Sequence, residues 1–153
     1  MLKINLYCVG NLKDKSYVDM CNEYSKRISR FAKLNIFELK ERNELSNTTQ
    51  IIEAETKEIL SKVNQDKIVL FDVKGENLSS EMSANFIDSY FQSNSELNFV
   101  IGGSYGVDEN LKNNCYKKLS LSKMTFPHRL FRVMALEQIY RALTLLNNVS
   151  YHK

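Results

Sequence analysis

The sequence predicts an α/β fold in which a mostly parallel sheet of five to six strands carries helices on both faces. Segments with the apolar pattern of strands follow segments with helical spacing along the whole chain. The run from Ile68 to Phe71 is continuously apolar, which is typical of a strand covered on both sides. No linker rich in Pro, Gly or Ser interrupts the chain, so we expect one domain over residues 1–153.

The first half of the chain contains two predicted strands and two predicted helices. In the strands apolar residues alternate or form a short run, and in the helices they recur at intervals of three and four. The predicted elements are a strand at 3–9, a helix at 17–28, a strand at 34–39 and a helix at 50–63. Gly10 ends the first strand, and either Thr48 or Thr49 is expected to cap the second helix.

The second half continues the alternation with three strands and three helices. The predicted elements are a strand at 67–73, a helix from Ser79 or Ser80, a strand at 97–101, a short helix capped by Asp108, a strand at 119–121 and a helix at 127–147. Gly75 is expected to end the first of these strands. Pro127 is expected in the first turn of the last helix, where a missing N–H is tolerated.

Composition argues against several classes of protein. The first ten residues resemble a strand and lack the features of a signal peptide, and no apolar run is long enough to span a bilayer. We therefore expect a cytoplasmic protein with no membrane partner. The three cysteines, Cys8, Cys21 and Cys115, are widely spaced, and with two histidines they do not suggest a metal site.

Charge is distributed unevenly along the chain. Residues 111–153 contain eight Lys or Arg and one acid, whereas residues 34–110 contain six bases and fourteen acids. A basic C-terminal part suggests a polyanionic partner, although a solvated basic face would give the same pattern.

Three segments are expected at the carboxyl ends of strands, where open α/β sheets bind ligands: 72–75, 102–106 and 122–126. The glycines of the second segment match neither a dinucleotide fingerprint nor a P-loop, so an ordinary turn and a ligand loop both fit. Met124 and Phe126 place apolar side chains in a short loop. They could pack on the core or line a slot for a flat ligand such as adenine.

The last helix is too apolar for one that faces a single small core. Its apolar side chains cover more than one stripe, which fits either a dimer interface or a central helix buried on both sides. His152 follows in a terminal segment of the kind that usually frays, where a disordered tail would be the ordinary interpretation.

Four motifs occur in the same order as in a known family. They are Val100-Ile101-Gly102-Gly103-Ser104-Tyr105-Gly106, Leu119-Ser120-Leu121-Ser122-Lys123-Met124-Thr125-Phe126-Pro127-His128, Glu137-Gln138-Ile139-Tyr140-Arg141-Ala142 and Tyr151-His152-Lys153. With the opening strand and Val9-Gly10-Asn11-Leu12-Lys13, the whole chain resembles the ribosomal large-subunit methyltransferase H family.

The resemblance implies a SPOUT-type α/β fold with a trefoil knot near the C-terminus, an exception to the rule that chains are unknotted. It implies a homodimer that uses S-adenosylmethionine and no metal. The expected reaction methylates the ring nitrogen N3 of a pseudouridine in large-subunit (23S) ribosomal RNA, on assembled ribosomes.

Site residues are carried over by their position in the motifs. The resemblance assigns cofactor binding to Phe71, Gly102, Gly103, Leu121, Ser122, Lys123, Met124, Thr125 and Phe126. Phe71 stands where the family pattern suggests leucine, which keeps an apolar wall but alters the fit around the cofactor.

The catalytic candidates are Arg132, Arg141, Tyr151 and His152. The arginines, with Arg129, are candidates for contacting phosphates or orienting the pocket, and Tyr151 for stacking on a base. His152 or water would remove the acceptor proton. The alternatives are a non-catalytic ribosome-binding factor and an enzyme with another adenine-containing ligand.

Overall fold

Five strands and five α-helices alternate along the chain in the computed structural model, which describes residues 1–153. The strands are β1 (Leu2–Val9), β2 (Ala32–Leu39), β3 (Ile68–Asn77), β4 (Glu96–Ile101) and β5 (Lys117–Ser120). The helices are α1 (Lys15–Ile28), α2 (Thr48–Lys62), α3 (Ser80–Phe91), α4 (Glu109–Asn114) and α5 (His128–Leu146), with a 3-10 turn at Gln65–Lys67.

The five strands form one sheet in the order β2-β1-β4-β3-β5, and every neighbouring pair is parallel. The predicted α/β class is confirmed, with five strands. Successive side chains of β1 point to opposite faces, and both faces are buried: Leu6 and Cys8 pack with residues of α1, α3 and α5, while Tyr7 and Val9 pack with residues of α2 and α4. The carboxyl ends of all five strands therefore meet at one edge of the sheet.

β3 does not end at Gly75, as the sequence suggested, but continues to Asn77. A Cβ atom on residue 75 would lie 2.7 Å from the Lys118 carbonyl carbon, so glycine is the residue that allows β5 to approach. The pairing of β3 with β5 shifts in register between Phe71 and Glu76, and Gly75 lies within this irregular stretch. β5 begins and ends earlier than predicted, at Lys117–Ser120.

Helix caps follow the expected chemistry but not always the expected residue. Asn47 caps α2 in place of Thr48 or Thr49, since its side chain accepts a hydrogen bond from the Gln50 N–H at 3.2 Å. Ser79 and Asp108 cap α3 and α4. Pro127 lies just before the first helical residue of α5, whereas the sequence predicted it within the first turn.

α5 is a central helix. It packs between α1 and α3, and of its 19 residues only Arg129 is exposed. Most of the apolar surface of α5 is therefore covered within one chain, which favours the interpretation of α5 as a central helix buried on both sides. No helix combines the length and the apolar character that crossing a bilayer requires.

Candidate active site

A cavity of about 540 Å³ lies at the carboxyl ends of β3, β4 and β5, within the size range of small-molecule sites. All three segments predicted from the sequence contribute to it. It is lined by residues 70–73, 101–104, 106–107, 119–122 and 124–126, with Lys112, His128 and Phe131. Its position is the one that the ligand rule for parallel sheets predicts.

The floor of the cavity is a tight glycine turn that follows β4. The Gly106 N–H donates to the Gly103 carbonyl at 2.9 Å, and Gly106 adopts a φ of +80°, which favours glycine. A Cβ atom on residue 102 would lie 3.1 Å from Val107 Cγ1 and 3.4 Å from the Gly106 carbonyl carbon. The turn is thus packed closely on its own inner side, and its backbone forms the cavity surface.

An aromatic cluster provides the apolar wall. Phe71 stacks on Phe99 and meets the edge of Phe131, both with ring centroids 5.4 Å apart, and Phe126 stacks on Phe131 at 6.4 Å. Phe71 and Phe131 join the cavity to the core cluster around α5. A phenylalanine at position 71 therefore keeps the apolar wall expected from the motif.

The loop after β5 shapes the opposite side by hydrogen bonding to itself. Ser120 Oγ donates to the Ser122 carbonyl at 2.7 Å, and the Met124 N–H donates to Ser122 Oγ at 3.0 Å. Met124 is 76% exposed at the cavity. Lys123 is also exposed, but it is the one predicted cofactor residue that does not line the cavity.

The start of α5 is attached to the turn after β1. A ring nitrogen of His128, Nε2, lies 3.0 Å from the Val9 carbonyl, and Arg132 donates to the Gly10 carbonyl at 3.0 Å and pairs with Glu38. Burial acts to raise the pKa of Glu38, but hydrogen bonds from Arg132 and the Leu12 N–H outweigh it and hold that pKa below its ordinary value. Arg132 is buried, which favours a role in orienting the pocket over contact with phosphates.

The C-terminal tail is docked on α5 and α3, so it is not the frayed segment that its position suggested. Tyr151 donates its hydroxyl to Glu137 Oε1 at 3.0 Å, and the Arg141 guanidinium lies 4.8 Å from the centre of its ring. Burial, together with the Glu137 carboxylate, raises the pKa of Tyr151 to about 12.

His152 lies between a cation and an anion. Its Nδ1 is 3.1 Å from Arg141 Nη1 and its Nε2 is 3.0 Å from Glu81 Oε1. Because arginine can only donate, Nδ1 accepts this hydrogen bond and Nε2 donates to Glu81. Both ring nitrogens are therefore occupied in this arrangement.

The structure does not bring the predicted cofactor and catalytic residues together within the chain. Eight of the nine cofactor candidates surround the cavity, whereas Arg141, Tyr151 and His152 form the tail cluster. The fourth catalytic candidate, Arg132, belongs to neither group and contacts Glu38 and the Gly10 carbonyl. Phe131 lines the cavity and lies ten residues before Arg141 on α5, which corresponds to about 15 Å along the helix axis.

Several residues of these two regions were not among the predicted site residues. Glu81, which holds the tail, and Phe131, which lines the cavity, were not anticipated. Glu137 and His128 lie within the family motifs; the first holds the tail and the second lines the cavity. The least expected is Glu55, a buried carboxyl on α2. Its spacing was informative, since it lies four residues from both Ile51 and Ile59 on the apolar side of that helix. No three side chains of the metal-binding types group closely enough to hold an ion.

The chain is similar to known methyltransferases over its full length. The family described as "Predicted SPOUT methyltransferase" matches residues 2–152. A protein of Mycoplasmopsis synoviae named ribosomal RNA large subunit methyltransferase H is 47% identical over 153 residues, covering 99% of this chain and 100% of its own. The protein of the same name from Fusobacterium nucleatum is 42% identical over 155 residues, again covering 99% and 100%.

A solved structure supports the fold independently of close sequence similarity. The structure of a probable methylase family protein from Haemophilus influenzae matches with a TM-score of 0.53 at 9% identity, covering 95% of this chain and 66% of that one. At this identity the likeness concerns the arrangement of strands and helices alone.

Proposed function

Because the chain belongs to the ribosomal RNA large subunit methyltransferase H family of SPOUT methyltransferases, we propose that it methylates large-subunit ribosomal RNA with S-adenosylmethionine. The proposed acceptor is N3 of a pseudouridine in 23S rRNA of assembled ribosomes, in the cytoplasm. The observation that carries the proposal is that the glycine turn, the loop after β5 and Phe71 line the same cavity.

The cavity fits the proposed cofactor in size and in chemistry. Phe71 and Phe126 offer an apolar wall for a flat adenine ring, and the backbone of residues 121–126 offers donors and acceptors to its edge. Gly102 and Gly103 let the ligand approach the main chain. S-adenosylmethionine would supply a methyl group activated by the positive sulfonium, so the protein needs no metal for this step.

The protein would accelerate the reaction mainly by alignment and by excluding water. The acceptor nitrogen must lie in line with the methyl group and must lose its proton as the new bond forms. Tyr151 offers a ring for stacking and His152 an imidazole for accepting the proton. The nitrogen of His152 that can accept a proton is Nδ1, and it already accepts a hydrogen bond from Arg141, so His152 must first break that contact.

We further propose a homodimer in which the tail of one subunit completes the cavity of its partner. Within one chain the tail is anchored about 15 Å along α5 from Phe131, at the edge of the cavity. Hydrogen bonds to Glu137 and Glu81 hold it there. A second subunit packed across the opening of the cavity would bring its tail there without undoing these contacts.

Contact with RNA phosphates is proposed for exposed cations near the cavity. Lys123 is in the loop after β5 and Arg129 is in the first turn of α5, and both are exposed. Arg132 and Arg141, in contrast, are occupied by Glu38 and Glu137. Exposed lysine and arginine supply the salt-dependent part of RNA affinity.

Two measurements test the proposed function. Calorimetry should show one S-adenosylmethionine site per subunit with a micromolar Kd. Ribosomes from a strain that lacks this protein should gain a methyl group, located by mass spectrometry of the 23S rRNA, when incubated with protein and cofactor. A protein that binds ribosomes but not the cofactor would instead be the non-catalytic factor. Transfer to free rRNA at the same rate would disprove the requirement for assembled ribosomes.

A further inference from the structure

One carboxyl group of the fold is buried without complete hydrogen bonding. Glu55 of α2 is 3% exposed; its Oε2 accepts the Arg42 N–H at 3.0 Å, and its Oε1 has no partner. Burial raises the pKa of this carboxyl, and the hydrogen bond from Arg42 counteracts part of the increase. A buried charge that lacks partners destabilises a fold, so its presence requires an explanation beyond packing.

Glu55 lies directly behind the cavity wall. The free Oε1 occupies the space that a Cβ atom on residue 103 would need, and Glu55 Cδ and Val9 Cγ1 lie 3.1 and 3.2 Å from that position. Gly103 itself lines the cavity. Because residue 103 has no side chain, only its backbone separates the carboxyl from the space where a ligand would bind.

The surroundings do not neutralise this charge through a direct contact with Oε1. Glu41 and Arg42 face Glu55 from the segment between β2 and α2, and His128 faces it from the start of α5. Glu41 opposes the carboxylate, whereas Arg42 and His128 favour it, but none of them donates a hydrogen bond to Oε1. A negative charge in such a site extends its field through the Gly103 backbone into the cavity.

We propose that Glu55 is the counter-charge by which the cavity prefers the cationic methyl donor over its neutral product. The proposal rests on the proposed function. Methyl transfer breaks the bond between sulfur and the methyl carbon, leaves the electron pair on sulfur and removes the sulfonium charge. The attraction of Glu55 would therefore act on S-adenosylmethionine and not on S-adenosylhomocysteine. Glu55 is a positioning residue in this account, because it acts through the glycine backbone.

The test compares the affinities of the two compounds in matched variants. Glu55→Gln removes the charge and keeps an acceptor for the Arg42 N–H, while Glu53→Gln removes the same charge from an exposed position of the same helix. The ratio of the two Kd values, measured by calorimetry, should shift about fivefold against S-adenosylmethionine in Glu55→Gln, equal to ~1 kcal/mol. It should not shift in Glu53→Gln.

A merely structural role of Glu55 would weaken both compounds equally and leave the ratio unchanged, which would overturn the proposal. If Glu55→Gln does not fold, the unmodified protein still provides a test. Because burial raises the pKa of Glu55, the protein's preference for S-adenosylmethionine should fall as the pH is lowered and the carboxylate takes up a proton, and a constant preference would overturn the proposal. If the unmodified protein binds neither compound, the proposed function fails as well.

Discussion

At residue 102 the space available to a side chain, and not the backbone conformation, determines which substitutions are tolerated. Its φ is not in the left-handed region, but a Cβ atom there would lie 3.1 Å from Val107 Cγ1 and 3.4 Å from the Gly106 carbonyl carbon. Any substitution must shift Val107, which lines the cavity, by a few tenths of an ångström. The cost of a side chain at this residue therefore appears first in ligand binding.

We expect Gly102→Val to abolish detectable cofactor binding while the protein stays folded, because its side chain crowds Val107 and Gly106, which line the cavity. Gly102→Ala, which adds a single carbon, should weaken binding by roughly tenfold. Calorimetry gives the affinities, and circular dichroism checks the fold. A folded Gly102→Val protein with unchanged affinity would show that the cofactor does not use this cavity.

Tyr151 should resist ionisation. Burial and the Glu137 carboxylate raise its pKa from 10.0 to about 12, so the docked phenol stays neutral where a free one loses its proton. The stability that docking contributes is complete below the unfolded pKa and is lost as pH rises through the folded value. The absorbance of ionised tyrosine is measured against pH for the unmodified protein and for Tyr151→Phe. The difference between the two curves reports Tyr151 alone, and its midpoint should lie near 12. A midpoint near 10.0 would mean that the tail is not docked.

At the scale of elements, the start of α5 is fixed to the turn after β1 through Arg132 and Glu38. The Arg132 side chain is 8% exposed and that of Glu38 37%, so removing the carboxylate leaves a largely buried cation with only the Gly10 carbonyl. This contact lies next to His128, which lines the cavity. The element that begins at the cavity is therefore positioned by an ion pair.

Glu38→Gln should lower the free energy of unfolding by about 2 kcal/mol, less than for a fully buried pair because Glu38 is partly solvated. Since the pKa of Glu38 is depressed, its contribution is present above its ordinary pKa and disappears as pH falls through the folded value. Urea unfolding at neutral and acidic pH measures the difference in the free energy of unfolding between the unmodified protein and Glu38→Gln. Glu44→Gln is the control and should change stability little, because both side chains of its pair with Arg42 are partly solvated, at 47% and 37% exposure. Equal losses in both variants would contradict the prediction.

The contribution of the C-terminal tail to methyl transfer can be tested separately from cofactor binding. Deleting residues 151–153 removes the contacts with Glu137, Arg141 and Glu81 but no residue of the cavity. We expect S-adenosylmethionine affinity and dimerisation to change little and methyl transfer to ribosomes to fall by orders of magnitude. His152→Ala should cause a clear part of this loss. A truncated protein that methylates at close to the full rate would remove Tyr151 and His152 from the catalytic assignment.

The order and type of the five strands and five α-helices could be predicted from apolar periodicity and capping residues, but the 3-10 turn at Gln65–Lys67 and several boundaries could not. The end of β3 was predicted too early because glycine usually ends a strand. Here Gly75 lies within β3 and permits the close approach of β5. The burial of α5 depends on its neighbours α1 and α3, which periodicity within one segment does not describe. The knot rested on resemblance alone, since the pattern of elements says nothing about how a chain threads.

The cavity was predictable because its three segments follow strands of one parallel sheet. The tail cluster was not, since its contacts join residues that are far apart in sequence, such as Glu81 and His152. Glu55 was missed because a glutamate on a helix is usually exposed. At the scale of the whole molecule, these contacts leave the cavity and the tail in separate places within each chain.

That separation leads to a prediction about two defective proteins. A Gly102→Val subunit has an intact tail and a blocked cavity, and a subunit lacking residues 151–153 has an intact cavity and no tail. If tails serve the partner subunit, a heterodimer of the two contains one complete site. If each tail serves its own subunit, the heterodimer contains none. An equal mixture that exchanges freely forms heterodimers in about half of all dimers, so it should recover roughly a quarter of the normal rate.

The mixture is prepared by unfolding and refolding the two variants together, and each variant refolded alone is the control. Methyl transfer to ribosomes is measured at saturating S-adenosylmethionine, and light scattering verifies that dimers have formed. Recovery in the mixture, with neither control active, requires that one chain supplies the tail and the other the cavity. An inactive mixture containing heterodimers would show that the tail of each chain moves to its own cavity, and the contacts of Tyr151 and His152 with α5 and α3 would then be those of a resting state.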